Sequence, residues 1–272
     1  MLAIIFCILA SLGFSILITY FLIPIGMGLH YFLPFILLIP GYVIGVLLMF
    51  AILWLISRFF PKNKEYKKPN RFAELILREM CKFICIHLRV KVKAKNEQII
   101  PNQKYLFICN HRSNLDPIIM IANYSKNHIA FISKEGNAKI PLVGHFMMAS
   151  GYFTINRDDK LQSLQVMKNA GEMIKEGIAS IGVYPEGTRS KGKEMNPFHE
   201  GVFAIAKIAR CPIVVASIQG TELVNKNIPW RKSKVTLKFL EVLDPIDYVD
   251  ETSKDVSDYC FKIIHKSLDD LR

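Results

Sequence analysis

Two long apolar runs, Leu2–Ile23 and Leu33–Ile56, open the chain. Each is close to the ~20 residues that cross a hydrocarbon core of ~30 Å as a helix. Pro24, Gly26, Gly28, His30 and Pro34 lie between or at the edge of the runs, a short segment suited to a turn. The pattern predicts a two-helix membrane hairpin. A re-entrant hairpin confined to one leaflet is the other arrangement. A secretory leader fits less well, because the first run lacks a basic flank and a second run follows directly.

From residue 70 the period changes. Phe72, Leu75, Ile76, Met80, Phe83 and Ile84 form an apolar stripe at helical spacing. Leu88–Lys95 alternates apolar and basic residues and reads as a half-exposed strand, while Tyr105–Cys109 and Ile129–Ile132 are short apolar runs that read as buried strands. Ile178–Tyr184, Ile213–Ile218 and Val235–Leu243 continue the strand series. Lys160–Glu176 is an amphipathic helix with Asp158 or Asp159 as its cap and Gly177 at its end. Phe198–Ala209 and Val256–Leu271 also read as helices. Strands alternating with helices predict an α/β fold, a central mixed sheet flanked by helices, preceded by the membrane hairpin. The domain expectation is a two-helix membrane anchor at 1–57, a basic juxtamembrane linker at 58–71 and an α/β domain at 72–272.

Charge sharpens this division. Residues 1–57 contain no Asp, Glu, Lys or Arg, so all 35 basic and 23 acidic side chains fall at or after Arg58. Arg58, Lys62, Lys64, Lys67, Lys68 and Arg71 follow the second run directly. The positive-inside tendency then predicts an integral protein of the cell membrane whose domain lies on the cytoplasmic side. Trp54, Phe59 and Phe60 would sit near the interface on that side. The net charge of +12 carries no helix-turn-helix, zinc-finger or RNA-binding signature with it, so anionic membrane lipids are the expected partner and nucleic acid is not. The six cysteines show neither metal-ligand nor disulfide spacing; Cys81 and Cys85, one helical turn apart, read as core packing.

Three stretches can carry chemistry. Asn110-His-Arg-Ser-Asn-Leu-Asp116 follows a predicted strand, at the strand end where α/β proteins place their sites. Asp116-Pro117 resembles a helix start, with Asp as N-cap. A histidine held by a carboxylate is fixed in one tautomer, and its other ring nitrogen can take a proton from a hydroxyl. No serine or cysteine nucleophile stands nearby in that role, so direct attack by an acceptor alcohol on an acyl carbonyl is the suggested chemistry. Taken alone, an Asp cap beside an ordinary polar loop explains the stretch as well.

Tyr184-Pro-Glu-Gly-Thr-Arg-Ser190 is the second concentration. Pro185 restricts Tyr184 to extended geometry, Gly187 allows a tight turn, and Arg189 can offer a planar fork to a phosphate beside the hydroxyls of Thr188 and Ser190. A purely structural turn is the alternative. The third stretch runs from Lys134 through Pro141, Gly144 and Gly151 to Phe153 and Arg157. Its glycines either admit a ligand chain or turn the backbone, and Arg157 either meets an anion or pairs locally with Asp158 and Asp159.

Together these stretches resemble the glycerolipid acyltransferases of the lysophosphatidic acid acyltransferase type. The His-x4-Asp motif is His111 to Asp116, and the phosphate-binding motif is Tyr184-Pro-Glu186-Gly187-Thr188-Arg189-Ser190. A Gly…Phe-x-x-x-Arg pattern spans Gly151, Phe153 and Arg157, and a hydrophobic segment around Pro212 completes the set. Order and spacing match over roughly residues 100–220. Two departures stand out. Tyr184 replaces a frequent Phe, and Val215 occupies the place of a second proline.

The resemblance implies His111 as general base with Asp116 orienting it. It implies Arg157 and Arg189 as acceptor-phosphate contacts, with Lys134 a further candidate. Asn110, Glu186, Gly187 and Thr188 would shape the site, and Pro212 would belong to the acyl-side wall. It also implies a lysophospholipid acceptor, an acyl-CoA or acyl-acyl carrier protein co-substrate, and no metal or redox cofactor. The nearest alternatives are an acyltransferase for glycerol-3-phosphate or for another lysophospholipid. A lipid hydrolase lacks support, because no Gly-x-Ser-x-Gly elbow is present. A non-catalytic membrane scaffold is disfavoured by the intact His111, Asp116, Glu186 and Arg189.

Overall fold

The computed structural model describes all residues except 23–28, 65, 67, 125–127, 191, 193 and 270–272. The turn expected around Pro24, Gly26 and Gly28 lies outside the described residues. The chain divides into two compact units, Met1–Lys64 and Glu65–Arg272.

The first unit consists of α1 (Leu2–Leu22) and α2 (Leu29–Ser57), packed antiparallel. Both are long and apolar enough to cross a membrane. Small residues let the backbones approach: a Cβ on Gly41 would stand 3.0 Å from the Ser11 carbonyl oxygen, and one on Gly45 would stand 3.0 Å from that of Cys7. Polar side chains on α1 find partners on α2. The Ser11 hydroxyl donates to the Leu38 carbonyl at 2.6 Å and the Ser15 hydroxyl to that of Pro34 at 2.5 Å.

The second unit opens with α3 (Arg71–His87), capped by Asn70, whose side chain accepts from the backbone N–H groups of Phe72 and Ala73. The chain continues through β1 (Val90–Lys95), β2 (Leu106–Cys109), α4 (Asp116–Asn123), β3 (Ile129–Lys134), α5 (Glu135–Ala138) and α6 (Val143–Ala149). Next come β4 (Phe153–Ile155), α7 (Lys160–Lys175), β5 (Ser180–Val183), a 3-10 turn at Glu200–Phe203, α8 (Ala204–Ala209) and β6 (Ile213–Gln219). The remainder is α9 (Val224–Asn227), β7 (Ser233–Leu243), α10 (Pro245–Tyr248) and α11 (Ser253–Asp269).

The strands form one mixed sheet in the order β1-β7-β6-β2-β5-β3-β4. β6, β2, β5, β3 and β4 run parallel; β7 is antiparallel to β6, with a register shift at Val215/Ala216, and β1 is parallel to β7. Every residue of β2 and β5 is buried, the pattern of strands covered on both faces. Helices α3, α4 and α6 pack together, α7 packs with α8, and α11 lies against β6. The parallel run puts the C-terminal ends of five strands along one edge, and the site is built there.

The element expectations need three corrections. The helix expected at Phe198–Ala209 resolves into the 3-10 turn and a six-residue helix, with Gly201 at the weak start. β4 is a strand that its three residues were too few to announce. Lys134 belongs to β3, which runs past Ile132.

Candidate active site

His111 lies in the loop between β2 and α4. Its Nδ1 is 2.8 Å from Asp116 Oδ2. An ionised carboxylate only accepts, so Nδ1 carries the proton and Nε2 is left as an acceptor. The same Oδ2 accepts from the backbone N–H groups of Arg112 at 2.7 Å and Ser113 at 2.8 Å. Asp116 is not the N-cap of α4. Leu115 holds that position, and Asp116, fully buried, turns its carboxylate back onto the preceding loop. Pro117 costs nothing there because the first helical turn has no partner for its N–H.

The second loop holds the first. Glu186, 2% exposed, accepts from the His111 N–H at 2.7 Å with Oε1 and from the Asn196 N–H at 2.8 Å with Oε2. The Ser190 N–H donates to the His111 carbonyl at 2.9 Å, so the histidine backbone is tied to residues 184–190 at both its polar groups. Burial raises the Glu186 carboxyl above its ordinary range, an effect the two backbone donors partly offset. The Tyr184 ring stacks on the His111 ring at 4.7 Å and 26°, and on Phe131 at 5.6 Å and 9°. Burial, with the Asp116 charge in second place, pushes the Tyr184 phenol well up, which keeps it protonated.

Asn110 anchors the loop from the other side. It is fully buried and clamps β2 to β6, donating from Nδ2 to the Ile218 carbonyl at 2.9 Å and accepting from the Ile218 N–H at 2.8 Å.

Three basic candidates share the sheet edge. Lys134 ends β3, in register with Ile155 of β4, and Arg157 follows two residues beyond. Arg189 lies in the second loop; all three are exposed. Arg157 forms no ion pair with Asp158 or Asp159 among the described residues, and Asp159 instead caps α7 through the Gln162 N–H. Gly187 adopts φ +67, as its turn requires, and the Arg157 guanidinium carbon lies 3.7 Å from where a Cβ would sit. Thr188 closes the turn, its N–H donating to the Glu186 carbonyl at 2.7 Å. The glycines of the third stretch are structural: Gly151 turns at φ +80 against Pro69, and a Cβ on Gly144 would overlap the Ala138 carbonyl.

Pro212 is not brought to this cluster. It precedes β6, and its carbonyl accepts from the Leu106 N–H at the start of β2. At about 3.3 Å per residue, the six residues from Pro212 to Ile218 span roughly 20 Å. Two residues that sequence reasoning missed belong to the cluster. Asn196 holds Glu186, and His199 lies against Gly187. Both sit in an irregular segment without periodicity, so no sequence signal marked them. No group of three His, Cys, Asp or Glu among the described residues could hold a metal ion.

The Acyltransferase family model matches residues 91–219, a stretch that contains all of these loops. Through this domain, just under half of the chain, the protein is similar to acyltransferases, and its named homologues are O-acyltransferases. The relatives it resembles include proteins named as glycerolipid acyltransferases. It is 28% identical over 170 residues to the 1-acyl-sn-glycerol-3-phosphate acyltransferase of Haemophilus influenzae, covering 61% of this chain and 69% of that protein. It is 26% identical over 188 residues to the protein of the same name from Saccharomyces cerevisiae, covering 68% of this chain and 61% of that one. Among solved structures, the 1-acyl-sn-glycerophosphate (LPA) acyltransferase PlsC from Thermotoga maritima shares the fold. Its TM-score is 0.62 at 24% identity, over 82% of this chain and 88% of that one.

Proposed function

We propose that this chain transfers a fatty acyl group from an acyl thioester to the sn-2 hydroxyl of lysophosphatidic acid, giving phosphatidic acid. The supporting observation is the 2.8 Å contact between His111 Nδ1 and buried Asp116, on the same sheet edge as Arg157 and Arg189. The relatives' names support the acceptor. In this reading Nε2 of His111 takes the hydroxyl proton as the alcohol oxygen bonds to the carbonyl carbon. The C–S bond then breaks, and the departing thiolate takes the proton back from the imidazolium. Asp116 supplies the opposite charge that the imidazolium needs, and Arg157, Arg189 and Lys134 hold the acceptor phosphate. The donor is the thioester of coenzyme A or of acyl carrier protein.

The same reading makes residues 1–57 a membrane anchor and 58–71 a basic linker, with the domain from residue 72 onward on the cytoplasmic side. There it meets an acceptor and releases a product that are both lipids. The test is acyl transfer by the detergent-solubilised chain, with lysophosphatidic acid, glycerol-3-phosphate and lysophosphatidylcholine in parallel and both thioester donors. Selective formation of phosphatidic acid is expected, and a folded His111→Ala protein should lose it. Preference for another acceptor would overturn the substrate, and near-normal turnover by His111→Ala would overturn the base.

A further inference from the structure

Around Gly187 an imidazole and a guanidinium come close to one point of the turn. A Cβ on Gly187 would stand 2.9 Å from His199 Nε2, 2.8 Å from His199 Cδ2 and 3.7 Å from Arg157 Cζ. Both side chains therefore border the same point, and the His199 ring packs so closely on Gly187 that a side chain there would overlap it. The imidazole is placed by backbone contacts, not by its own ring. The His199 N–H donates to the Pro185 carbonyl at 2.9 Å, and Asn196, three residues earlier, is tied to Glu186 at 2.8 Å. No hydrogen bond or ion pair among the described residues engages the side chains of His199, Arg157 or Arg189. A structural histidine would spend its ring nitrogens on the protein, as His128 does on Glu74 at 3.2 Å and the Ser150 carbonyl at 2.7 Å.

Resting on the acceptor reading above, we propose that His199 is a further contact for the acceptor's phosphate, beside Arg157, Arg189 and Lys134, and selects phosphate monoesters over diesters. A monoester presents three terminal oxygens and close to two negative charges. With three oxygens and nearly two charges, a monoester has acceptor capacity left for a donor beyond the two guanidinium groups and the Lys134 ammonium. His199 approaches the same point at Gly187 as Arg157 does, which makes it that donor. It donates from Nε2 in either the cationic form or the matching neutral tautomer. A diester such as a choline lysolipid has only two unesterified oxygens and one charge, and gains nothing from the added donor.

Equilibrium binding to the full, detergent-solubilised chain tests this without relying on turnover. Lysophosphatidic acid and lysophosphatidylcholine are titrated into the wild type, His199→Phe and His199→Gln. Loss of one hydrogen bond to a charged group corresponds to about tenfold or more in affinity. His199→Phe, which keeps a flat ring but no donor, should bind lysophosphatidic acid weaker by about that factor and leave the diester unchanged. His199→Gln, which keeps a donor, should recover part of the loss. Equal effects on both lipids, or none, would overturn the assignment. So would weakening confined to acyl-CoA in a parallel titration, which would assign the seat to the donor's phosphates. A wild type that binds both lysolipids alike would also overturn it. Acyl-transfer assays on the wild type independently decide the acceptor reading on which the proposal rests.

Discussion

Replacing Asp116 by Asn removes one charge while the local geometry holds. Oδ2 accepts three hydrogen bonds, from His111 Nδ1 and from the backbone N–H groups of Arg112 and Ser113, at 2.7–2.8 Å. In Asn the amide nitrogen cannot face those two backbone donors, so the amide oxygen must take the place of Oδ2. It still accepts from Nδ1, and the histidine keeps its tautomer. What disappears is attraction between carboxylate and imidazolium as His111 takes a proton. For unit charges about 4 Å apart, at an effective dielectric of ~20, that attraction is about 4 kcal/mol. At about 1.4 kcal/mol per tenfold, and with proton transfer incomplete in the transition state, kcat/KM should fall by about 10²–10³. The amide nitrogen would occupy the site of Oδ1, which is buried and has no partner among the described residues, so stability should fall by about 1–3 kcal/mol. Steady-state acyl transfer beside a thermal melt reads both quantities. A folded variant with kcat/KM within about threefold of wild type would show that the carboxylate charge has no part in the reaction.

Two further predictions concern the scaffold. Asn110→Ala leaves the buried Ile218 N–H and carbonyl without partners and should destabilise the domain by about 2–4 kcal/mol, read as a lower melting temperature. The second concerns acid. The hydrogen bond from His128 is the main reason Glu74 is held below its ordinary carboxyl range, so the folded state binds its proton less readily than the unfolded one. Its contribution is therefore present above the unfolded value near 4.5 and is lost as pH falls through the lower folded value. The melting-temperature gap between wild type and Glu74→Gln should shrink as pH drops below about 4.5. A constant gap from pH 3 to 7 would refute the linkage.

Much of the fold was legible because its signals are local. Alternation at Val90–Lys95, the apolar runs of β2 and β5 and the helical stripe of α3 each specify an element from neighbouring residues alone. The contact between His111 and Asp116 was legible for the same reason, since a five-residue loop can only fold back on itself. The embrace of that loop by Glu186 was not. It depends on β2 and β5 becoming neighbours, an event between residues 75 positions apart. β4 was too short to show a period, and Asn196 and His199 sit in an irregular segment whose course is set by partners at Pro185 and Glu186. The local reading of Asp116 as a cap failed because its carboxylate has better-placed donors in the loop behind it than in its own helix.

The six cysteines are all buried and unpaired, and one of them, Cys109, stands two residues before the histidine that the reading makes the base. Burial raises the thiols of Cys85 and Cys211 to about 11 and those of Cys81 and Cys260 to about 12, and pushes Cys109 well up too. Thiolate, the form that attacks carbonyl carbon, is then scarce at neutral pH. If the donor is a thioester, a free thiolate beside the site would be a rival acceptor, able to take the acyl group onto the protein itself. Sealing every thiol in the interior spares the protein that self-acylation, and the same burial should leave it indifferent to alkylating reagents until it unfolds.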